Sequence, residues 1–163
     1  MRGTSAWSGG PLEFGLNQAL HIREERLATR HDACRLLYVS EIHLRNGRSD
    51  TPCRQALDAV TRCSPDVVLL GGDLVDRPSE LSALSELVGR LHEVAPVLAI
   101  GGNHDRQIGM DRVRDAVMHG GGQWIHDGIA RVTHGRRVIA VSGPEIRADS
   151  GFSPTSHTML TER

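Results

Sequence analysis

Aromatic side chains are scarce: Trp7, Phe14, Tyr38, Trp124 and Phe152 are the only five in 163 residues. They are too few and too scattered to form the base-stacking platforms that bind single-stranded nucleic acid. A surplus of one charge is lacking as well. With 19 basic against 20 acidic residues the formal net charge is -1, so no global field draws in nucleic acid or an anionic membrane. Cysteine is limited to Cys34, Cys53 and Cys63, and no two of them form a CxxC pair. That excludes a disulfide framework and a thiolate zinc knuckle, and it suits a reducing compartment. No stretch of 18 apolar residues occurs, and no apolar run of signal-peptide length opens the chain. The expectation from these absences is a cytoplasmic protein without a nucleic-acid partner, whose contact with a membrane, if any, is peripheral.

What is present is a soluble composition, 39% hydrophobic and 24% charged with 18 glycines, at a length that suits one domain. Residues 1–34 have no clear period and read as an N-terminal extension or edge element. From Arg35 the texture changes. Short apolar runs, LLYV at 36–39, VVLL at 67–70 and VLAI at 97–100, alternate with amphipathic segments, which is the signal of a parallel sheet with crossover helices. The spacing of Cys53, Ala56, Leu57 and Val60 predicts a helix over roughly 52–63, opened by Thr51-Pro52. Leu81, Leu84, Leu87, Val88 and Leu91 predict a second over roughly 79–92. A third, weaker one runs from Asp111 to the Gly120-Gly121-Gly122 stop. Short strands follow near 124, 131 and 139, so the domain covers 35–143. Residues 144–163, rich in Gly, Ser, Pro and Thr, read as loop or tail.

The residues that follow the three apolar runs carry the chemistry. They are Ser40-Glu41-Ile42-His43, Gly71-Gly72-Asp73-Leu74-Val75-Asp76 and Gly101-Gly102-Asn103-His104-Asp105. In a parallel sheet these ends share one carboxyl edge, where α/β proteins place their sites. Carboxylate, imidazole and carboxamide thus converge although they lie about thirty residues apart, and this mixture suits Mn, Fe, Zn or Mg. The glycines let the backbone turn sharply and let an ion or phosphate approach. Asp76, just before the second helix, reads first as a turn or cap residue. The histidines away from these ends read as ordinary surface or core residues.

The strings VSEIHL, PDVVLLGGDLVDR and APVLAIGGNHD resemble, in order and spacing, the DxH, GDxxD and GNHD motifs of calcineurin-like metallophosphoesterases, over about residues 34–143. The resemblance implies an α/β fold, a β-sandwich of two sheets flanked by helices, with two divalent metal ions at the strand ends. It further implies hydrolysis of a phosphomonoester or phosphodiester by a metal-bound hydroxide. By that likeness Glu41 and His43 hold the first metal, Asp73 bridges both and Asn103 binds the second. His104 then acts on the phosphate and leaving group, with Asp105 or Asp76 in support. The stretch before the first motif and the GGGQWIHDG segment look most like a subgroup of bacterial phosphodiesterases with membrane-associated members.

Two departures stand against this pattern. The family's opening Asp is Glu41 here, one methylene longer, and the family's later GHxH motif does not occur in these 163 residues. They set a second expectation, a truncated or degenerate noncatalytic relative that acts as a binding or regulatory module. Its fold would be incomplete at the C-terminal end, with an uncovered apolar face open to self-association. A Rossmann-type nucleotide domain is a poor third reading because no GxGxxG follows the first strand.

Overall fold

Each four-residue apolar run can be buried on both faces, and each helix has one apolar stripe to lay over it, so runs and helices assemble into a covered parallel sheet. The computed structural model describes residues 34–45, 50–125, 128–134, 137–142 and 159–162. Residues 1–33 and most of 144–163 lie outside that description, His157 among them.

Strands β1 (Leu36–Val39), β2 (Val67–Leu70) and β3 (Val97–Ala99) are separated by helices α1 (Asp50–Cys63) and α2 (Leu81–His92). A 3-10 turn at Pro78–Glu80 leads into α2. Helices α3 (Asn103–Ile108) and α4 (Met110–His119) then lead to β4 (Gln123–Trp124). These four strands form one sheet in the order β1-β2-β3-β4, parallel throughout. A second, antiparallel sheet follows, with β5 (Ile129–His134), β6 (Arg137–Ser142) and β7 (Met159–Glu162) in sequence order.

Alternation along the strands divides the core in two. Val39, Val68, Leu70, Val97 and Ala99 join Ala56 and Val60 of α1, Leu84, Leu87, Val88 and Leu91 of α2, and Val113 and Val117 of α4. Val67 and Leu98 point the other way and pack with Ile125 and with Val132, Ile139 and Val141 of the second sheet. Helices, parallel sheet and antiparallel sheet thus form three layers, the α/β arrangement with two sheets expected above. Burying a leucine such as Leu84 or Leu91 completely is worth on the order of 2 kcal/mol, so the leucines of α2 anchor the helix layer.

The structure departs from the sequence reading in three places. The sheet face expected to be bare is packed against β5 and β6, whose inward residues join its core. Residues 103–108, assigned to no element from the sequence, form α3, a helix too short to show an apolar period. Met159–Glu162, inside the stretch read as loop or tail, pairs with β6 from Val141↔Met159 to Val138↔Glu162. Four residues carry little periodic signal, and it is the neighbouring strand that makes them a strand. Among the described residues no helix is long and apolar enough to cross a membrane.

Candidate functional site

The site begins where β1 and β2 leave their ladder. Val39 lies opposite Leu70, and the pairing resumes at Leu44 opposite Val75. Both chains therefore detour over equal lengths, 40–43 and 71–74. The detours stay tied together: Glu41 N–H donates to the Gly72 carbonyl at 3.2 Å, His43 N–H to that of Asp73 at 3.0 Å and Leu44 N–H to that of Leu74 at 2.9 Å. Keeping two bent chains in step forces left-handed backbone on Glu41 (φ +58°), His43 (φ +47°) and Asp73 (φ +53°). For residues other than glycine this costs on the order of 1–3 kcal/mol each, and such strain gathers at functional sites.

The third strand end is brought in by glycine. Gly72 has φ +94°, and a Cβ there would stand 2.7 Å from the Gly102 nitrogen. A Cβ on Gly102 would run into the Asp73 carboxylate. These glycines thus let two loops approach each other, a closer reason for their presence than room for an ion. Gly72→Ala is expected to destabilise the fold by on the order of 2 kcal/mol, since it combines left-handed strain with a backbone collision. A urea midpoint equal to that of the parent chain would contradict this.

Asp105 locks the approach. It is fully buried, and its Oδ1 accepts from the Leu74 and Val75 amides at 2.9 and 3.1 Å while Oδ2 accepts from Gly102 N–H at 2.9 Å. The last bond, from the third residue of the helix to its cap, is half of a capping box and explains why α3 starts at Asn103. Its oxygens are thus taken up by main-chain donors of both loops, which Asp105 ties together.

On this frame His43, Asp73 and His104 come together, one ligand-type atom from each lying within 4.8 Å of the others. Asp73 is buried, and its Oδ1 accepts from the His104 amide at 2.9 Å. His43 Nδ1 is 2.6 Å from Asp76 Oδ1 and its Nε2 is 3.1 Å from Glu41 Oε2. His104 Nδ1 lies 3.3 Å from the same Asp76 oxygen, and the two imidazoles meet edge to face at 4.7 Å. Glu41 is exposed beside His43, and Asn103 is exposed in the first turn of α3.

Asp76 is the residue that the sequence reading underrated. It caps no helix but contacts both imidazoles. Its place comes from the fold: one residue past Val75, where the ladder resumes, it sits on the same rim as His43.

Burial pulls the pKa of His43 down, but the hydrogen bonds to Asp76 and Glu41, with the attraction of both carboxylates, outweigh it and the net direction is upward from 6.5. A raised folded-state value means that the imidazolium stabilises the ion-free fold below about pH 6.5 and that this contribution is lost as the pH rises through the folded-state pKa. In EDTA, the Tm advantage of the parent chain over His43→Gln should therefore shrink between about pH 5.5 and 8. An advantage independent of pH would refute the assignment.

A family model described as calcineurin-like phosphoesterase matches residues 34–154. Phosphodiesterase YaeI of Escherichia coli (strain K12) is 32% identical over 80 residues, 48% of this chain and 30% of the relative. The chain thus spans less than a third of that relative's length. Among solved structures, the nuclease MPE of Pseudomonas putida aligns with a TM-score of 0.41 and 20% identity, over 56% of this chain and 48% of the other.

Proposed function

The chain belongs to the calcineurin-like phosphoesterase family, and from that premise we propose that its strand-end site hydrolyses a phosphate ester, in the first place a phosphodiester, with a divalent cation held by His43 and Asp73. The observation that carries this reading is the convergence of His43, Asp73 and His104 from three separate strand ends to within 4.8 Å. The donor set fits a cation: a buried carboxylate with one oxygen engaged by an amide, and imidazoles oriented by a carboxylate, the usual support of metal-binding histidine. Mn, Fe, Zn and Mg are the ions in question. A bound cation of this kind polarises the phosphoryl oxygens and makes water a better nucleophile.

The chain's own residues do the rest. Asp73 has a second oxygen to offer a cation, since the first accepts from the His104 amide. Asp76 accepts from Nδ1 of His43 and so holds the ring in place, and Nε2, which bonds Glu41 without an ion, would give up its proton to face a cation. Glu41, next to that nitrogen, adds a carboxylate to the donor set, and Asn103 offers a neutral carboxamide at the mouth. Hydrolysis adds water to phosphorus and breaks one P–O bond to an alcohol. The full chain is expected to release 4-nitrophenolate from bis(4-nitrophenyl) phosphate in Mn²⁺, and EDTA should abolish the release. Absence of turnover with each of the four cations would overturn the enzymatic reading.

Glu41→Asp provides a sharper check. Aspartate tolerates left-handed backbone better than glutamate, and the shorter arm matches the family motif. Cation affinity is therefore expected to rise several-fold; an unchanged calorimetric titration would remove Glu41 from the donor set.

A further inference from the structure

We infer that Tyr38 is a specificity-determining residue of the strand-end site: its ring is a platform beside the Asp73 loop on which a planar ring of the phosphate ester stacks, so that esters bearing an aryl group or a nucleobase are preferred to simple alkyl esters. This rests on the reading proposed above and adds to it the class of group that the phosphate carries.

The first ground is place. Among the described residues the most exposed large apolar side chains are Tyr38, Val94, Met118, Ile129 and Val138. Val94 and Met118 precede β3 and β4 and so stand at the amino edge of the parallel sheet, while Ile129 and Val138 belong to the second sheet. Tyr38 lies near the end of β1, just before the segment that carries Glu41 and His43, and is 49% exposed. Leu36 and Leu69, on the same face, pack partly against the core under the second sheet, whereas Tyr38 stays open at the carboxyl edge.

The second ground is direction. In the ladder Tyr38 is paired with Leu69, yet its ring lies over Gly71, further along the chain, since a Cβ on Gly71 would collide with the phenol. The ring therefore leans toward the carboxyl edge and covers the first residue of the loop that carries Asp73. Gly71 is held there by its N–H, which donates to the Val39 carbonyl at 2.8 Å. Two residues of chain span at most about 7 Å, so the α-carbon beneath the phenol is within that distance of the α-carbon of Asp73. A ring joined to phosphorus through an oxygen or a sugar can bridge such a gap.

The third ground is Gly71 itself. It is not among the glycines whose backbone is left-handed, so its conformation does not demand glycine. What a side chain at 71 would displace is the tyrosine ring. Aromatic rings attract one another in offset and edge-to-face arrangements, and stacking on a side chain tolerates many ring types because each presents a π face. One tyrosine serves one ring, which agrees with the scarcity of aromatics for binding a strand of bases.

The test uses the full chain in Mn²⁺ with phenylphosphonate and methylphosphonate as probes. Tyr38 is the only tyrosine, so ring-¹³C-tyrosine labelling gives one aromatic residue to follow by NMR. Phenylphosphonate is expected to bind at least about fivefold more tightly than methylphosphonate and alone to shift the tyrosine ring. Tyr38→Ala should level the two affinities, and Tyr38→Phe should keep the difference. Adenosine 5′-monophosphate against ribose 5-phosphate separates the sources of the ring: a preference for the nucleotide assigns a nucleobase, equal affinities a simple aryl group. Equal binding of the two phosphonates, or a preference that survives Tyr38→Ala, overturns the inference and leaves the proposed function standing. If neither phosphonate binds, the inference is overturned as well, and turnover of bis(4-nitrophenyl) phosphate then tells whether the proposed function falls with it. Should Tyr38→Ala fail to fold, the tyrosine signal of the parent chain decides: a shift with phenylphosphonate alone supports the inference, and no shift or the same shift with both probes overturns it.

Discussion

Asp105→Ala is expected to lower the free energy of unfolding by about 3–5 kcal/mol, the largest effect on stability of any single change at the site. The carboxylate is fully buried and receives three main-chain N–H groups, two from the loop after β2 and one from the loop after β3. Truncation strands these donors, and each buried donor without a partner costs about 1–3 kcal/mol. A domain of this size is stable by only about 5–15 kcal/mol, so the variant should melt well below the parent chain. Asp105→Asn retains one carbonyl for Leu74 and Val75 but points an amide at Gly102, and its cost should fall between the two. Urea denaturation in EDTA measures both variants without interference from bound ions. A loss under about 1 kcal/mol for Asp105→Ala would show that water or another group satisfies the amides.

The second large effect concerns function. Asp73→Asn should weaken Mn²⁺ and Zn²⁺ binding by at least about 100-fold and reduce hydrolysis to background, while the fold stays intact. The separation follows from the two roles of the side chain. Its Oδ1 accepts from the His104 amide, which asparagine can still do, and asparagine tolerates the left-handed backbone at φ +53°. What asparagine cannot supply is negative charge toward a cation. Calorimetry for the ions and circular dichroism for the fold report the two halves separately. Full-strength ion binding in a folded Asp73→Asn chain would remove Asp73 from the site.

These effects fall on residues that were legible to different degrees. That His43, Asp73, Asn103 and His104 follow strand ends on one edge could be read from the chain alone, because apolar runs of four residues locate strand ends and parallel connection aligns them. Glu41 could be found in the same way, and so could its mismatch with the family motif. Asp105 was visible as an acidic residue beside the site, but not as one whose oxygens are consumed by amides thirty residues away. Asp76 was read as a turn residue because only the resumed pairing of Leu44 with Val75 shows that position 76 returns to the rim.

Local sequence by itself determined the order of strands and helices, the apolar stripes of α1, α2 and α4, and the set of polar residues at the sheet's carboxyl edge. These depend on periodicity and on neighbours a few positions away. The tertiary structure alone decided the short elements α3 and β7, the covering of the parallel sheet's second face, the left-handed strain at Glu41, His43 and Asp73, and the sharing of one Asp76 oxygen by two imidazoles. Each of these depends on the distance between segments far apart in the chain. That distance is set by strand register and by two glycines that let the backbones touch, and neither leaves a periodic trace in the sequence.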